Sequence, residues 1–143
     1  MLSTDLDLPT RLRLAVMRLA RTLRQQSVTD DITPSMLSAL SVVERRGPLS
    51  IGELAITERV SPPSMTRVVS HLEERRLVAR EVDFADRRVA RLRVTPAGAR
   101  TLAAMRTRKQ AYLAQRLRLL SEEDRSLLAA ALPVLERLVE DEH

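Results

Sequence analysis

Two helix-start signals lie close together in the middle of the chain, and they constrain its fold more than any other feature. The first is Ser50-Ile51-Gly52-Glu53, where a serine followed three residues later by a glutamate forms the capping-box pattern. The second is Ser61-Pro62-Pro63, a capping residue followed by prolines that fit the first turn of a helix but not its interior. The first helix must therefore end near Glu58. Two helices joined by so short a turn predict a helix-turn-helix.

A β-hairpin is predicted directly after the second of these helices. The segments Leu77 to Val82 and Val89 to Val94 are short and alternate apolar with charged residues, as half-exposed strands do. The polar stretch Asp83 to Arg88 joins them. The hairpin therefore predicts a wing beside the helix-turn-helix.

Four further helices are predicted around this unit. One runs from Leu8 to Gln26, Thr33-Pro34 opens a second that Gly47-Pro48 ends, Thr95-Pro96 caps a third, and Ser121 caps a last one that contains Pro133. The fold class is thus mainly α with a small β-hairpin wing: a winged helix-turn-helix flanked by N- and C-terminal helices. We divide the chain into an N-terminal dimerisation helix (1–32), the winged domain (33–98) and C-terminal dimerisation helices (99–143).

The terminal helices carry apolar faces that a compact winged domain is too small to cover. The first has apolar residues at helical spacing from Leu8 to Leu23, and the last from Leu128 to Val139. Two such faces at opposite ends of the chain predict burial in a homodimer, and two-fold proteins match palindromic DNA sites.

The positive charge of the chain is concentrated near the predicted wing. The net charge is +5, and residues 61–100 hold nine arginines against five acidic residues. Arginine presents a planar fork of donors that suits phosphates and guanine edges. A solvated surface would also explain an arginine-rich composition, but the clustering favours nucleic acid. The absence of cysteine excludes disulfides, thiolate metal sites and thiol redox sensing.

The helix after Ser61 presents the candidate residues for reading DNA. Its apolar stripe leaves an opposite polar face on which Arg67 is the natural guanine reader, and Ser64 and Thr66 could reach bases or phosphates. An ordinary solvated face is the alternative for each residue alone, and for His71 a plain surface histidine is favoured. The candidates on this helix are Ser61, Pro63, Ser64, Thr66, Arg67, Ser70 and His71.

The predicted wing tip contributes Asp86, Arg87 and Arg88. An arginine on a thin hairpin has the shape and charge to enter a narrow minor groove. Asp86 would repel phosphate unless it orients an arginine through a salt bridge. The pattern leaves open which arginine enters the groove, and a solvated turn with balanced charges is the alternative.

These segments resemble the MarR family of winged helix-turn-helix transcription regulators. The resemblance rests on Leu54-Ala55, on Val60 to Arg67, on Leu72-Glu73 and Leu77-Val78, and on the wing pattern Asp83-x-x-Asp86-Arg87-Arg88 followed by Leu92-x-Val94-Thr95-Pro96-x-Gly98. With the flanking helices it covers essentially the whole chain. One departure is Arg76, where the family often has glycine, so this residue is expected either in a left-handed conformation or at a different helix end.

The resemblance implies a triangular homodimer that binds double-stranded DNA at a short palindromic operator. Such proteins are usually repressors released by a small aromatic or lipophilic effector. A cleft between the interface helices and the winged domain would bind it, and an arginine could meet its carboxylate. The residues expected to line that cleft are Val16, Leu19, Met36, Leu40 and Tyr112.

Two other functions stay open at this point, and an enzyme is not expected. A winged-helix module for protein interaction would use the same fold, and a sequence-neutral nucleoid protein would use the same charge. No phosphate-binding glycine loop and no Ser, His and acid constellation is recognisable, and we predict no metal and no cofactor. No segment is apolar enough for a membrane span and no secretory leader is recognisable, which predicts a cytoplasmic protein.

Overall fold

The computed structural model describes residues 7–27, 29 and 31–140, and in that part of the chain it contains six helices and one two-stranded sheet. The elements are α1 (Leu8–Gln25), α2 (Pro34–Arg46), α3 (Ile51–Glu58), α4 (Pro62–Glu74), β1 (Val78–Val82), β2 (Ala90–Val94), α5 (Pro96–Arg118) and α6 (Glu122–Glu140). The predicted fold class is confirmed. None of these helices combines the length and apolarity needed to cross a membrane.

Polar side chains begin the helices where the sequence predicts. The Thr33 hydroxyl accepts from the Met36 N–H at 3.2 Å, and the Ser121 hydroxyl from the Asp124 N–H at 3.1 Å. Each bond satisfies an N–H that has no partner within the first helical turn. Asp7 does the same for α1, where its carboxylate accepts from the Thr10 N–H at 3.1 Å. The Thr10 side chain, followed by this backbone hydrogen bond, lowers the pKa of Asp7 below its ordinary value.

A single aliphatic core joins α2, α3, α4, the hairpin and the first part of α5. Leu40, Leu54, Leu72 and Leu92 are its largest fully buried side chains. Aromatic residues take no part in this core, which suits a chain with one phenylalanine and one tyrosine. The core residues are Ile32, Met36, Ala39, Leu40, Val42, Val43, Leu49, Leu54, Ala55, Met65, Val69, Leu72, Leu77, Val78, Leu92, Leu102 and Met105.

The two strands are antiparallel, with Val78 opposite Val94 and Val82 opposite Ala90. Each strand begins one residue later than predicted. Leu77 is still part of the turn after α4, because its N–H donates to the Leu72 carbonyl at 3.0 Å. On the other edge of β2, Leu49 exchanges two backbone hydrogen bonds with Leu92, which fastens the segment before α3 to the wing.

A tight joint connects the end of α4, the base of the wing and the start of α5. The Thr95 hydroxyl donates to the Arg76 carbonyl at 2.6 Å and accepts from the Gly98 N–H at 3.1 Å. Beside it, a Cβ atom on Gly98 would lie 2.2 Å from the Leu77 carbonyl oxygen, so no larger residue fits there. Arg76 has a φ of 57°, which is the left-handed conformation, one of the two alternatives that the sequence left open.

The terminal helices differ from the core helices, because neither α1 nor α6 has a buried residue. Pro133 lies inside α6, which continues to Glu140. The chain divides into two compact units at residues 109 and 110, so α6 and the end of α5 form a unit of their own. The predicted domain limits at residues 32 and 98 stay a prediction.

Candidate nucleic-acid interface

The turn between α3 and α4 fixes the direction of α4. The capping box is complete: Ser50 accepts from the Glu53 N–H at 3.1 Å, and the Glu53 carboxylate accepts from the Ser50 N–H at 3.1 Å. Arg59 ends α3 in the left-handed conformation, with a φ of 56°. The Val60 N–H donates back to the Ala55 carbonyl, and the chain then re-enters a helix at Ser61. This is the predicted helix-turn-helix, with α3 ending at Glu58.

The face of α4 that points away from the core is exposed and polar. Met65, Val69 and Leu72 are buried, and the residues between them leave Ser64 and Arg67 in solvent. Among the described residues, Arg67 has no carboxylate within 4.0 Å. Its guanidinium group therefore keeps all of its donors for a partner outside the chain.

The hydroxyl groups of α4 are engaged with their own helix. Ser61 accepts from the Ser64 N–H at 3.3 Å and donates to the Ser64 hydroxyl at 2.8 Å. Thr66 donates to the Pro62 carbonyl and Ser70 to the Thr66 carbonyl, both at 2.9 Å. Ser61, Thr66 and Ser70 would have to rotate their hydroxyls to donate to a phosphate, whereas the Ser64 hydroxyl only accepts here. Pro63 offers only an exposed ring.

His71 lies further along the same helix. Its Nδ1 atom is 3.7 Å from the Glu74 carboxylate, and both side chains are more than half exposed. The pair lies at a spacing of three residues on the helix surface, where such contacts are weak. The structure thus gives His71 an acidic neighbour that the sequence analysis did not assign to it.

The arginines of the hairpin are paired with carboxylates, with one exception. Arg80 contacts Glu73 of α4 at 2.8 Å, Arg93 contacts Glu81 across the sheet at 2.8 Å, and Arg88 contacts Asp86 at 3.0 Å. Arg91 contacts Asp83 at 2.9 Å and lies 3.5 Å from Glu53 of the capping box. In the described part of the chain, only Arg87 among the hairpin arginines has no such partner.

Asp86 therefore orients an arginine, as expected, and that arginine is Arg88. The guanidinium group donates to both carboxylate oxygens, at 3.0 and 3.3 Å, and the Arg88 N–H donates to one of them at 3.1 Å. The side-chain bond from Arg88, followed by the backbone bond, lowers the pKa of Asp86. For Asp83, the N–H of Ala85 contributes most and the Arg91 side chain next to the lowering of its pKa. Both carboxylates are thus held in the charged form.

The sequence analysis missed two features of this region. The bridge from Arg91 to Asp83 and Glu53 ties the wing to α3. Its signal was a cation three positions after Arg88, with acidic residues in both the wing and α3. The second missed feature is the left-handed conformation of Arg59. Its signal was the short stretch between the end of one predicted helix and the capping residue of the next, which is long enough for only one reversal of the backbone.

The five residues expected to line an effector cleft lie in different environments. Val16 and Leu19 are half exposed on α1, at 51% and 50%, and Tyr112 is half-buried in the second unit. Met36 and Leu40 are instead buried in the core, so neither is open to a ligand in this structure. The reason is that the face of α2 that carries them packs within the core of the winged domain.

A different cavity opens between α1, α2 and α5. Its volume is about 230 Å³, and it is lined by the cationic side chains of Arg24, Arg45 and Lys109. Ser27 lines it too, and its hydroxyl is fully buried without a hydrogen-bond partner among the residues that the structure describes. Unpaired buried hydroxyl groups are costly, which makes this serine unusual.

The capped pair α3–α4 with its hairpin is a winged helix-turn-helix, the architecture of a class of DNA-binding transcription regulators. Residues 32–90 match the family model of the MarR family. An uncharacterized HTH-type transcriptional regulator of Mycobacterium leprae is 39% identical over 141 residues, which is 99% of each chain. This protein therefore belongs to the MarR family of transcription regulators.

Solved structures share this fold. The crystal structure of a proposed transcriptional regulator from Pseudomonas aeruginosa is 31% identical and has a TM-score of 0.82 over 99% of this chain and all of that one. A variant of MepR from Staphylococcus aureus, bound to an oligodeoxyribonucleotide, shares the fold. Its TM-score is 0.72 at 19% identity, over 95% of this chain and all of that one.

Proposed function

We propose that this protein represses transcription as a homodimer that binds a palindromic operator, with α4 in the major groove and the wing in the adjacent minor groove. One observation carries the proposal. Arg67 on α4 and Arg87 at the wing tip are exposed and without carboxylate partners in the described part of the chain, whereas the other hairpin arginines are paired. Two free guanidinium groups on the two elements suit the two grooves.

Arg67 has the geometry of a base-reading residue in this proposal. It lies in the second turn of α4, and the N-terminal part of such a helix is the part that meets base edges. Its two terminal nitrogens match O6 and N7 of a guanine. Ser64 would position the helix through a phosphate with its unengaged O–H, and Thr66 and Ser70 would do so after rotation of their hydroxyls. His71 with Glu74 would lie toward the edge.

Arg87 rather than Arg88 is the proposed minor-groove residue. Arg88 makes a two-point contact with Asp86, in which the two opposite charges offset each other. Arg87, with no such partner, would follow the enhanced negative potential of a narrow minor groove. The Asp86–Arg88 pair would then stiffen the turn that presents Arg87.

Assembly into a homodimer is supported by the apolar surface that the chain leaves open. Leu8 and Val16 on α1 are exposed at 77% and 51%, and Leu132 and Val139 on α6 at 47% and 71%. Open apolar faces of this kind mark protein interfaces. A second copy would cover them and would place two α4 helices for successive major grooves, about 34 Å apart.

The test is selection of duplexes from random DNA by the purified protein, followed by binding of the selected duplex to variants. We expect Arg67→Ala to cost about 1–3 kcal/mol and to relax discrimination at one base position. Arg137→Ala removes the same charge from α6 and should change neither. Arg87→Ala should weaken binding more than Arg88→Ala, and should lower the salt slope by about one for each phosphate that the variant no longer neutralises.

The outcomes separate the alternatives. Equal affinity for selected and random duplexes would replace the proposal with a sequence-neutral nucleoid protein. No binding to any duplex at low salt would leave a protein-interaction module. Wild-type specificity in a folded Arg67→Ala variant would remove Arg67 from the proposal.

A small organic anion is the proposed effector, and the cavity between α1, α2 and α5 is its proposed site. Three cationic side chains would bind a carboxylate, and the buried Ser27 hydroxyl could complete the hydrogen bonding. Pro34 and Leu37, which line the same cavity, would contact an apolar ring. Such a ligand releases DNA only if it favours a spacing of the two winged domains that misses successive grooves.

Titration of salicylate-like acids against the protein–DNA complex tests this regulation. We expect DNA release and a higher melting temperature, both abolished by Arg45→Ala and preserved in the neighbouring control Arg46→Ala. If a broad panel of aromatic acids changes neither quantity, the effector proposal is wrong and the DNA-binding proposal stands.

A further inference from the structure

Phe84 stands alone at the tip of the wing. It is the single phenylalanine of the chain, and its side chain is 101% exposed, more than any other large apolar residue described. Exposing a phenyl ring gives up the burial that stabilises most aromatic residues by about 1.5–3 kcal/mol. The stability of the wing therefore does not explain why a phenylalanine stands at this position.

The hydrogen bonds that form the turn around Phe84 do not involve its side chain. The Asp83 carboxylate accepts from the Ala85 N–H at 2.8 Å and from Arg91 at 2.9 Å. The Asp83 N–H donates to the Val89 carbonyl, and the Val89 N–H to the Asp86 carbonyl, both at 3.0 Å. These bonds hold the backbone on both sides of the ring, so Phe84 is presented on an ordered turn.

Phe84 and the unpaired Arg87 share one open surface. Together with Val82 and Pro48 they line a depression of about 1160 Å³ along the flank of the wing. An occupant of this surface must offer negative charge to the guanidinium group and apolar or planar surface to the ring. The minor groove of DNA offers both, because phosphates line its walls and the C–H groups of the sugars and the base faces lie between them.

We infer that Phe84 is an apolar wedge that enters the minor groove beside Arg87 and opens a neighbouring base step. This inference rests on the proposed DNA-binding function. Arg87 supplies the attraction to the groove, and the ring presses against the sugar and base wall, which unstacks the step and bends the duplex toward the major groove. Flexible pyrimidine–purine steps are the easiest to open. The wing would therefore favour such a step at a position where no hydrogen bond reads the base.

The experiment uses the full-length protein and the duplex selected from random DNA. The variants are Phe84→Ala, Phe84→Leu, which keeps an apolar wedge, and Arg87→Ala. Each is measured for affinity as a function of salt and for the fluorescence of 2-aminopurine placed at successive steps of the outer part of the duplex. Thermal melting checks folding, which the exposed position of Phe84 should leave unchanged.

We expect wild-type protein to raise the 2-aminopurine signal at one step in each half-site. Phe84→Ala should abolish that rise and weaken binding on the order of tenfold, with an unchanged salt slope, because stacking carries no charge. Phe84→Leu should retain most of both effects. Arg87→Ala should lower the salt slope, which separates the cation from the wedge.

Wild-type affinity and an unchanged 2-aminopurine signal in Phe84→Ala would overturn the inference. A variant that changes only the mass of the protein in solution would also overturn it, because the ring would then belong to a contact between proteins. If Arg67→Ala loses specificity while Phe84→Ala behaves as wild type, the wedge is wrong and the proposed function stands. If the wild-type protein binds no duplex, the proposed function itself fails.

Discussion

The winged domain and the terminal helices use the same pattern of apolar residues at helical spacing, but with opposite results. In α4 the pattern buries Met65, Val69 and Leu72 completely or nearly so. In α6 the same spacing leaves Leu132 and Val139 open. Periodicity therefore predicts that a face will be covered, but it does not specify which molecule covers it. The winged domain finds that cover within one chain, and the terminal helices do not.

The largest expected effect comes from placing charge on the open face of α6. Leu132→Glu combined with Val139→Glu should convert a dimer of about twice 16.1 kDa into a monomer, because carboxylates placed in an apolar interface would lose their hydration without gaining a partner. A monomer binds only one half-site at a time, which should weaken binding to the selected palindrome by about a hundredfold or more.

Light scattering and a gel-shift titration measure the two effects. Arg137→Glu, on the opposite side of α6, is the control and should stay dimeric. A dimeric double variant with wild-type DNA affinity would show that this face is not covered by a second copy.

The next effect compares a leucine of the winged domain with a leucine of α6, each in a dimeric and in a monomeric background. Leu72→Ala should cost about 2–5 kcal/mol in both the dimer and the double-glutamate monomer, since its cavity lies within one chain. Leu138→Ala, whose parent side chain is 62% exposed, should cost stability only in the dimer. Denaturant unfolding of all four combinations gives the two coupling energies. Equal costs for Leu138→Ala in both backgrounds would contradict the contrast between the regions.

A smaller effect is expected at the joint after α4. Arg76 has a positive φ, a conformation that costs a residue with a Cβ atom about 1–2 kcal/mol and glycine almost nothing. Arg76→Gly should therefore raise the unfolding free energy by about 1 kcal/mol, in monomer and dimer alike. Arg75→Gly, one residue earlier at a φ of −87°, should lower it. A destabilised Arg76→Gly variant would mean that the side chain contributes more than its conformation costs.

The smallest expected effect is on the stability of the protein at acidic pH. Hydrogen bonds lower the pKa of Asp83 and Asp86 in the wing and of Asp7 at α1. A lowered pKa in the folded chain means that the stabilisation is complete above the unfolded value of about 3.9 and is lost as the pH falls through the folded value. Stability should thus not depend on these groups between pH 6 and pH 8. Below about pH 4, Asp86→Asn should flatten the decline slightly. A steeper decline in that variant would contradict the sign.

Much of the fold follows from local chemistry that the sequence displays. Thr33, Ser50, Ser61 and Ser121 each begin a helix because a hydroxyl group satisfies a free N–H, and this interaction spans only three residues. The predicted start of the first strand is one residue early because the bond from the Leu77 N–H back to α4 follows the left-handed Arg76. That conformation was one of two that the sequence allowed.

The candidate site was less accessible to sequence reasoning. In Asp86-Arg87-Arg88 both arginines are within reach of the carboxylate, so the pattern cannot select the pair that the structure shows. Met36 and Leu40 illustrate a second limit, because periodicity marks an apolar face without separating a core from a ligand cleft. The exposure of Phe84 depends on the three-dimensional turn and has no sequence signal beyond an aromatic residue in a polar stretch.

The contacts around Thr95 fix the position of α4 relative to the wing. The Thr95 hydroxyl ties the carbonyl after α4 to the first turn of α5, Gly98 leaves no gap beside Leu77, and Arg80 pins the hairpin to Glu73. In the proposed complex α4 and the wing could not adjust their separation, so the duplex would have to supply the matching distance between its two grooves. DNA sequences that widen or shift the minor groove would therefore bind more weakly, even where they differ only at base pairs that no side chain contacts.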